Sequence, residues 1–362
     1  MRPGHLERGP AGLVMARVMG ALLLTGLIGC AAATDSADIP APVAPGAFEK
    51  GMVLGLFARH EPTYAADKLD ELQRLGVTSV CIMIPWVIPH VRSLDMNPRD
   101  DMTPNDASLV RAIRAAHARG MSVLLMPFLY VDHMEEGEWR GTLAPPDWDA
   151  WFARYGEFVL HYARLGQAEK AAWLSIGSEL CSTEAHEARW ETLVGEVRRA
   201  YQGGLTYSSN WDHRKTPTFL KRLDALGMNA YFELTDDADA TEDQLVAAWG
   251  RVRQDIEAWR SQVGLDIIVT EVGYPSRAGA ARDPWNYDAP GPVDQEVQKR
   301  CYRAFQRAWG GDPHLRGVYF YIWWGDGGPE DTGYTPRGKP AEAVIRDWYQ
   351  RSSQQQADRS AP

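Results

Sequence analysis

Residues 265–277 of the chain read LDIIVTEVGYPSR, and the fold prediction starts from this stretch. Ile267, Ile268 and Val269 form a short β-branched run without polar alternation, which is typical of a strand buried on both faces of a parallel sheet. Thr270 and Glu271 follow directly, and burial of an unpaired carboxylate costs on the order of several kcal/mol. The glutamate is therefore expected to have a function. An edge residue that caps a helix or pairs with an arginine is the alternative.

A second stretch, residues 173–183 with the sequence WLSIGSELCST, repeats this arrangement. Its apolar run leads through small residues to Glu179. Glycoside hydrolysis requires one protonated carboxyl group for the leaving group and one ionised carboxylate that attacks or activates water. Two buried strands that each end in a glutamate supply this pair. Glu179 and Glu271 are therefore the predicted catalytic residues.

The composition indicates a globular α/β protein that does not bind nucleic acid. Of 362 residues, 45% are hydrophobic and 24% are charged, which suits one large domain or two ordinary ones. The formal net charge of −10 argues against a nucleic-acid partner. The 14 tryptophans suit a cleft in which sugars stack, with a core location as the alternative.

The cysteine and histidine content predicts no metal site and no cofactor. Beyond the N-terminal segment only Cys81, Cys181 and Cys301 remain, which allows at most one disulfide. Cys81 lies in an apolar run and Cys301 on a helical face, so both are interpreted as core thiols. The sequence has no CxxC and no His-rich spacing of the kind that binds metal.

The N-terminal residues are interpreted as a targeting signal. A basic start precedes an apolar segment, residues 18–28, which is too short for a transmembrane helix. The sequence LIGCA that ends at Ala31 resembles a bacterial lipoprotein signal. The resemblance implies removal of residues 1–29, lipid attachment to Cys30, and an exported protein that is anchored to a membrane face. An ordinary secretory signal cleaved within residues 31–33 is the alternative.

The remaining chain is expected to form one domain with short flanking segments. Residues 30–48 are rich in Ala and Pro, which predicts a flexible tether between lipid and domain. Residues 49–350 are predicted to fold as the domain. Residues 351–362 are predicted to form a disordered tail.

Strands and helices alternate through this domain. Apolar runs predict strands at residues 52–57, 79–84, 123–127, 173–176, 206–208, 227–230, 267–270 and 318–322. Helical periodicity predicts helices at residues 64–75, 108–119, 148–162, 187–201, 242–263, 297–309 and 341–349. The alternation predicts a single (β/α)8 TIM barrel, with an open doubly wound sheet as the alternative. Because a barrel presents the C-terminal ends of its strands on one face, Glu179 and Glu271 are expected to share that face.

Five segments of the predicted barrel resemble a clan of retaining glycoside hydrolases. They read WRG at 139–141, IGSEL at 176–180, YSSNW at 207–211, TEVGY at 270–274 and GKPA at 338–341. Within the clan, the chain most closely resembles glycoside hydrolase family 113, whose known members are β-mannanases. The resemblance implies that Glu179 is the acid/base, that Glu271 is the nucleophile, and that β-1,4-mannan or glucomannan is the substrate.

Two positions depart from the pattern of the clan. Ser178 stands where Asn is frequent and contacts the sugar 2-hydroxyl, and Phe128 stands where a polar residue was expected after the third strand. One polar sugar contact is therefore expected to be absent. A non-catalytic lipoprotein that binds glycans or a protein on the same barrel is the competing hypothesis.

The expected mechanism is a retaining double displacement. Ionised Glu271 attacks the anomeric carbon, and protonated Glu179 donates its proton to the departing oxygen. Glu179 then activates the water that releases the sugar. Retention requires the two carboxyl groups to lie about 5–5.5 Å apart, whereas about 6.5–9.5 Å indicates inversion.

Seven further residues are expected to bind substrate. They are Trp139, Arg140, Ser178, Asn210, Trp211, Tyr231 and Trp323. Tyr231 is expected to orient Glu271, with a wall residue as the alternative. For Arg140 a contact with a sugar hydroxyl and an ion pair with Glu135, Glu136 or Glu138 are both open. Because neighbours on a strand face opposite ways, only one of Trp323 and Trp324 is expected to line the cleft, and Trp323 is preferred.

Overall fold

The computed structural model of the protein describes residues 48–56 and 64–360. The predicted signal peptide and Cys30 lie outside this part of the chain, as does the tether up to residue 47. None of the helices in the described part combines the length and apolar character that a membrane span requires.

Eight parallel strands close into a barrel in chain order, with the eighth strand paired to the first. The strands are β1 (Glu49–Leu54), β2 (Ser79–Ile88), β3 (Ser122–Val131), β4 (Trp173–Ser178), β5 (Gly204–Asn210), β6 (Leu226–Asn229), β7 (Ile267–Val272) and β8 (Leu315–Trp323). Every strand interior is almost entirely buried, because helices cover the outside of the barrel and side chains fill its inside. The predicted single (β/α)8 barrel is confirmed.

Seven α-helices follow the strands in the described residues. They are α1 (Tyr64–Arg74), α2 (Asp106–His117), α3 (Trp148–Ala168), α4 (Glu187–Ala200), α5 (Glu242–Val263), α6 (Gln295–Trp309) and α7 (Pro340–Ser360). A short 3-10 helix, Thr218–Arg222, replaces an α-helix between β5 and β6. The strands and helices therefore occur in the predicted order, with bounds that differ by a few residues.

Local sequence explains where the long helix α5 begins and ends. Thr241 accepts a hydrogen bond from the backbone of Gln244, and the Gln244 side chain in turn accepts one from the Thr241 backbone. Gly264 ends the helix with φ of 83°, a left-handed conformation that glycine adopts without steric cost. Each N-terminal cap of this kind stabilises a helix by about 1 kcal/mol.

The C-terminal helix extends further than predicted. The sequence predicted a helix that ends at Tyr349 and a disordered tail from residue 351, whereas α7 continues to Ser360. No glycine or proline occurs in residues 350–360, so nothing in the local sequence ends the helix at Tyr349.

The core has an outer and an inner layer. The outer layer packs strands against helices and includes the aromatic stripe of α3, in which the rings of Trp151 and Tyr155 stack 4.8 Å apart. Five aromatic residues of this helix are buried, namely Trp151, Phe152, Tyr155, Phe158 and Tyr162. The inner layer lies inside the barrel and includes Cys81, Met126 and Tyr319. Apolar side chains thus fill the barrel below the C-terminal ends of its strands.

All three described cysteines are free thiols. Cys81 and Cys301 are fully buried, as predicted for core thiols. Cys181 is half-buried in the segment that follows β4. Its surroundings differ from those of the other two, because Glu184 and His213 lie close to its sulfur.

Candidate active site

Glu179 and Glu271 lie at the same end of the barrel. Glu179 directly follows β4, and Glu271 is the penultimate residue of β7. Their exposed fractions are 1% and 3%. Burial, and then the negative charge of Glu179, raise the pKa of Glu271. The two carboxyl groups therefore form one interacting pair, as the positions of their strands predicted.

The backbone of Glu179 adopts a left-handed conformation with φ of 58°. A residue with a side chain rarely adopts this conformation, which costs on the order of 1–3 kcal/mol. Two hydrogen bonds hold the turn: Glu179 N donates to Ser208 O at 2.9 Å, and Leu180 N donates to the Tyr207 hydroxyl at 3.1 Å. Such strain is frequent at functional sites, where it directs a side chain into a cleft.

Arg140 forms an ion pair with Glu179. Its Nη2 and Nε lie 2.8 and 3.1 Å from the same carboxylate oxygen, Oε2. The guanidinium group also lies over the Phe128 ring, 5.6 Å from its centroid. The predicted alternative, an ion pair of Arg140 with an acidic residue of its own loop, is wrong, because Glu138 pairs instead with Arg92 at 2.6 Å.

Glu271 is held by Tyr231. The Tyr231 hydroxyl donates a hydrogen bond of 2.8 Å to Oε2 of Glu271, as predicted for an orienting residue. The other oxygen, Oε1, is buried and has no hydrogen-bond partner among the described residues. Burial, and then the charge of Glu179, raise the Glu271 pKa to about 8, although Tyr231 and Arg140 act in the opposite direction.

The charge distribution of this pair differs from the one expected from the sequence. Glu271 was expected to be ionised and Glu179 to be kept protonated by its surroundings. In the structure the Arg140 guanidinium forms its ion pair with Glu179. Burial favours the neutral form of Glu271. The reason is the position of Arg140, which sequence spacing did not reveal.

Asn229, the last residue of β6, connects the two halves of the site and was missed by the sequence analysis. Its Nδ2 donates to Glu179 Oε1 at 3.0 Å and to Ser178 Oγ at 3.2 Å, and its Oδ1 accepts from Thr270 Oγ1 at 2.9 Å. It is fully buried. An amide that ends a buried strand two residues before Tyr231 was the available signal. Ser178 thus belongs to this network.

Three other predicted substrate-binding residues lie around the rim. Asn210 ends β5, and its amide donates to Asp212 Oδ1. Trp211 is half-buried and forms an edge-to-face pair with Phe232 at 5.9 Å. Trp139 is also half-buried, and its indole covers Gly141 so closely that a Cβ there would lie 2.2 Å from the ring.

Trp323 does not line the cleft, which corrects the prediction. Its exposed fraction is 2%, and its indole donates a hydrogen bond of 2.8 Å to Glu71 on α1, outside the barrel. Neighbouring side chains along β8 do not alternate strictly between the two faces of the strand, because Tyr321 and Ile322 both contact the inner core. A cis peptide bond joins these two residues. The more exposed tryptophan is Trp324, at 37%.

Four tyrosines form an aromatic cluster beside Glu271. Tyr231, Tyr287, Tyr321 and Tyr334 have ring centroids between 4.8 and 6.3 Å apart in five neighbouring pairs. Burial, and then the charge of Glu271, raise the Tyr321 pKa to about 12. The cluster places aromatic surface, on which a sugar ring can pack, next to the carboxyl group. Of these four tyrosines, only Tyr231 was predicted from the sequence to be part of the site.

The loop after β7 that carries Tyr287 is anchored by Arg277. Its Nη2 donates to Asp283 Oδ1 and to the Asn286 carbonyl, both at 3.0 Å. Trp285 in the same loop donates from its indole to Glu233 Oε1 at 3.0 Å. These contacts fix the loop over the nucleophile end of the site.

One group of potential metal ligands lies close to the acid/base end. Among the described residues, Cys181, Glu184 and His213 place their ligand atoms within 4.8 Å of one another. The sequence predicted no metal site, because His213 is distant in the chain and no motif joins the three.

A cavity of about 240 Å³ lies at the opposite end of the barrel. Ile267, at the start of β7, and the segment before β8 line it. Neither Glu179 nor Glu271 lines this cavity. Arg253 and Asp312, which form an ion pair, lie in its wall. It has no part in the chemistry described here.

Comparison with known proteins agrees with the barrel fold. The model of Glycoside Hydrolase Family 113 matches residues 53–339. A solved family 113 β-1,4-mannanase is 24% identical, with a TM-score of 0.75 over 84% of this chain and 99% of that chain. A family 113 β-mannanase from Alicyclobacillus acidocaldarius, in complex with ManMIm, is also 24% identical, with the same TM-score over 84% and 98%.

A more distant structure also has this fold. A family 5 variant from Streptomyces cattleya, in complex with Manβ1-4GlcNAc, is 15% identical, with a TM-score of 0.59 over 83% of this chain and 80% of that chain. At these identities the structural similarity shows the fold. The search of curated proteins found no match.

Proposed function

Because the chain belongs to Glycoside Hydrolase Family 113, we propose that it is a retaining, endo-acting β-glycoside hydrolase of β-1,4-mannan or glucomannan. The observation that carries the proposal is the buried, interacting pair Glu179 and Glu271, in which each carboxylate has its own polar partner. A glycan-binding barrel has no need of two such groups, whereas double displacement requires both.

Glu271 is the proposed nucleophile. Tyr231 holds Oε2, which leaves the unpartnered Oε1 for attack on the anomeric carbon. The proton that burial favours on Glu271 has to leave before attack. Attack forms a glycosyl–enzyme ester as the bond to the departing oxygen breaks.

Glu179 is the proposed acid/base. In the free enzyme the Arg140 guanidinium occupies Oε2 of Glu179, so the cation has to move away before this oxygen can carry a proton. We infer that an entering glycan provides new acceptors for Arg140 and that the proton passes from Glu271 to Glu179. Glu179 then protonates the leaving oxygen and, ionised again, takes a proton from the water that cleaves the ester.

The substrate is proposed from the relatives and from the aromatic surroundings of the pair. Solved family 113 enzymes of this fold are described as β-1,4-mannanases. The tyrosine cluster beside Glu271 offers apolar surface for the faces of a sugar chain. Phe128 under Arg140 supplies no hydrogen bond, so specificity rests on the remaining polar groups of the site.

Hydrolysis of a panel of soluble β-glycans, beginning with β-1,4-mannan and glucomannan, tests the proposal. Wild type is compared with Glu179→Ala, Glu271→Ala and, as matched control, Glu157→Ala on the solvent side of α3. We expect both site variants to lose turnover and the control to keep it. Proton NMR of the first product tests the stereochemistry, and an inverted anomer would refute double displacement.

The competing function is non-catalytic glycan binding. The ion pair of Arg140 with Glu179 favours it, because the Arg140 guanidinium occupies the carboxylate oxygen that would carry the acid proton. No turnover of any glycan, together with binding that is unchanged in both alanine variants, would support this function instead.

We also propose that the protein is exported and anchored by a lipid on Cys30. The support is the sequence of residues 1–30, with its basic start, short apolar segment and LIGC. Labelled fatty acid should enter the wild type and be absent from Cys30→Ala. A wild type that carries no label would contradict the anchor.

A further inference from the structure

We propose that Cys181, Glu184 and His213 bind a divalent transition-metal ion of the Zn²⁺ type directly behind Glu179. The site is separate from the glycosidase chemistry and would exist in a catalytic or a purely glycan-binding protein. Cys181 and Glu184 come from the 3-10 segment Cys181–Ala185, and His213 comes from the segment after β5.

The distances suit a tetrahedral ion. His213 Nε2 and Glu184 Oε2 lie 3.3 Å apart. Two ligands at about 2.0–2.1 Å from a tetrahedral Zn²⁺ lie about 3.3–3.4 Å apart. All three ligand atoms are within 4.8 Å of one another, so a shift of the Cys181 sulfur by about 1 Å completes the set. Rotation about a single side-chain bond supplies such a shift.

The donor atoms select the class of ion. One thiolate, one imidazole and one carboxylate suit Zn²⁺ and its neighbours, whereas Mg²⁺ and Ca²⁺ prefer oxygen alone. The two negative charges of this set match a divalent ion. Three protein ligands converge there among the described residues, and water would fill the fourth tetrahedral position.

The surroundings favour a cation. Among the described residues, no lysine or arginine forms an ion pair with Glu184, whose polar partners are His213 and Tyr207. A metal ion would supply the missing positive charge and convert the thiol to a thiolate.

A second layer already orients the ligands. The Tyr207 hydroxyl donates to Oε1 of Glu184 at 2.9 Å, which leaves Oε2 directed at His213. Hydrogen bonds from such outer partners typically increase metal affinity 10- to 100-fold. The same hydroxyl accepts from Leu180 N, the residue next to Glu179. A bound ion would therefore link the segments after β4 and β5 and stabilise the left-handed turn of Glu179.

The test uses the full chain, stripped with a chelator and titrated with Zn²⁺ or Co²⁺. We expect one equivalent of Zn²⁺ to bind and to raise the melting temperature. Co²⁺ should produce the near-ultraviolet charge-transfer absorption of a thiolate–cobalt bond. Wild type that binds no ion, or binds Co²⁺ without that absorption, would overturn the proposal.

Variants assign the ligands. Cys181→Ser and His213→Gln should each weaken Zn²⁺ binding by about 100-fold or more, and Tyr207→Phe by about 10- to 100-fold. His133→Gln, whose side chain is 83% exposed, is the matched control and should bind as wild type does. Circular dichroism verifies that each variant is folded. Because Cys30 is present in all of them, a thiolate–cobalt absorption that survives in Cys181→Ser would place the metal elsewhere and refute the site.

Discussion

Arg140 Nη2 lies 2.8 Å from the carboxylate of Glu179, the residue that has to donate a proton in the proposed reaction. The ion pair places a cation on Glu179, while burial raises the pKa of Glu271, which Tyr231 holds, to about 8. One proton is thus held on the nucleophile side of the site. Substrate binding has to reverse this distribution before the glycosidic bond breaks.

Replacement of Arg140 by glutamine should shift the acidic limb of the kcat/KM profile to higher pH. Arg140 lowers the pKa of Glu271 through its charge, and loss of a nearby opposite charge typically shifts a carboxyl pKa by about one unit or more. The acidic limb of the kcat/KM profile reports ionisation in the free enzyme, so a higher pKa of Glu271 should move this limb to higher pH. Arg92→Gln, in the partner of Glu138, is the control. An unchanged limb would contradict the role of Arg140.

Replacement of Tyr231 by phenylalanine should lower kcat about 10- to 100-fold. The variant loses a hydrogen bond to a charged nucleophile, which is worth about 1.5–3 kcal/mol. The acidic limb should also move to higher pH, because the hydroxyl favours the ionised form of Glu271. Tyr162→Phe, in which a buried hydroxyl far from the pair is removed, should leave that limb in place. If both variants behave alike, the Tyr231 effect is structural.

Replacement of Glu271 by glutamine should remove a pH dependence of stability. Burial raises the folded-state pKa to about 8, above the ordinary value near 4.3. The folded protein therefore holds this proton more tightly, and the stabilisation present below pH of about 4.3 is lost as pH rises to about 8. We expect Glu271→Gln to melt close to the wild type at low pH and at higher temperature at pH 8. A constant difference across this range would show that the carboxyl is not perturbed.

The two neighbouring tryptophans should separate stability from binding. Trp323→Phe removes the hydrogen bond to Glu71 and should destabilise the fold by about 1–3 kcal/mol with kcat/KM unchanged. Trp324→Ala, at a residue 37% exposed, should raise KM for a long glycan with little change in melting temperature. A raised KM in Trp323→Phe, together with a lower stability of Trp324→Ala, would instead identify Trp323 as the residue that lines the cleft.

Local sequence was sufficient for the positions of the two glutamates. The β-branched run at residues 267–269 is typical of a strand in a buried parallel sheet, and Glu271 follows that run. Once eight such strands are recognised, barrel geometry brings their C-terminal ends to one face. The same reasoning predicted that Tyr231, which follows β6 closely, orients Glu271. These predictions depend on order along the chain, which the sequence states directly.

By itself, then, the sequence determined the barrel and the end of it that carries Glu179 and Glu271, because strand patterns are periodic and strand order sets their neighbours. The tertiary structure alone decided that Arg140, 39 positions from Glu179, forms an ion pair with it, and that His213 approaches Glu184. It also decided that Trp323 faces α1. Partners of this kind depend on how loops fold back and how side chains turn, and no local periodicity encodes those contacts.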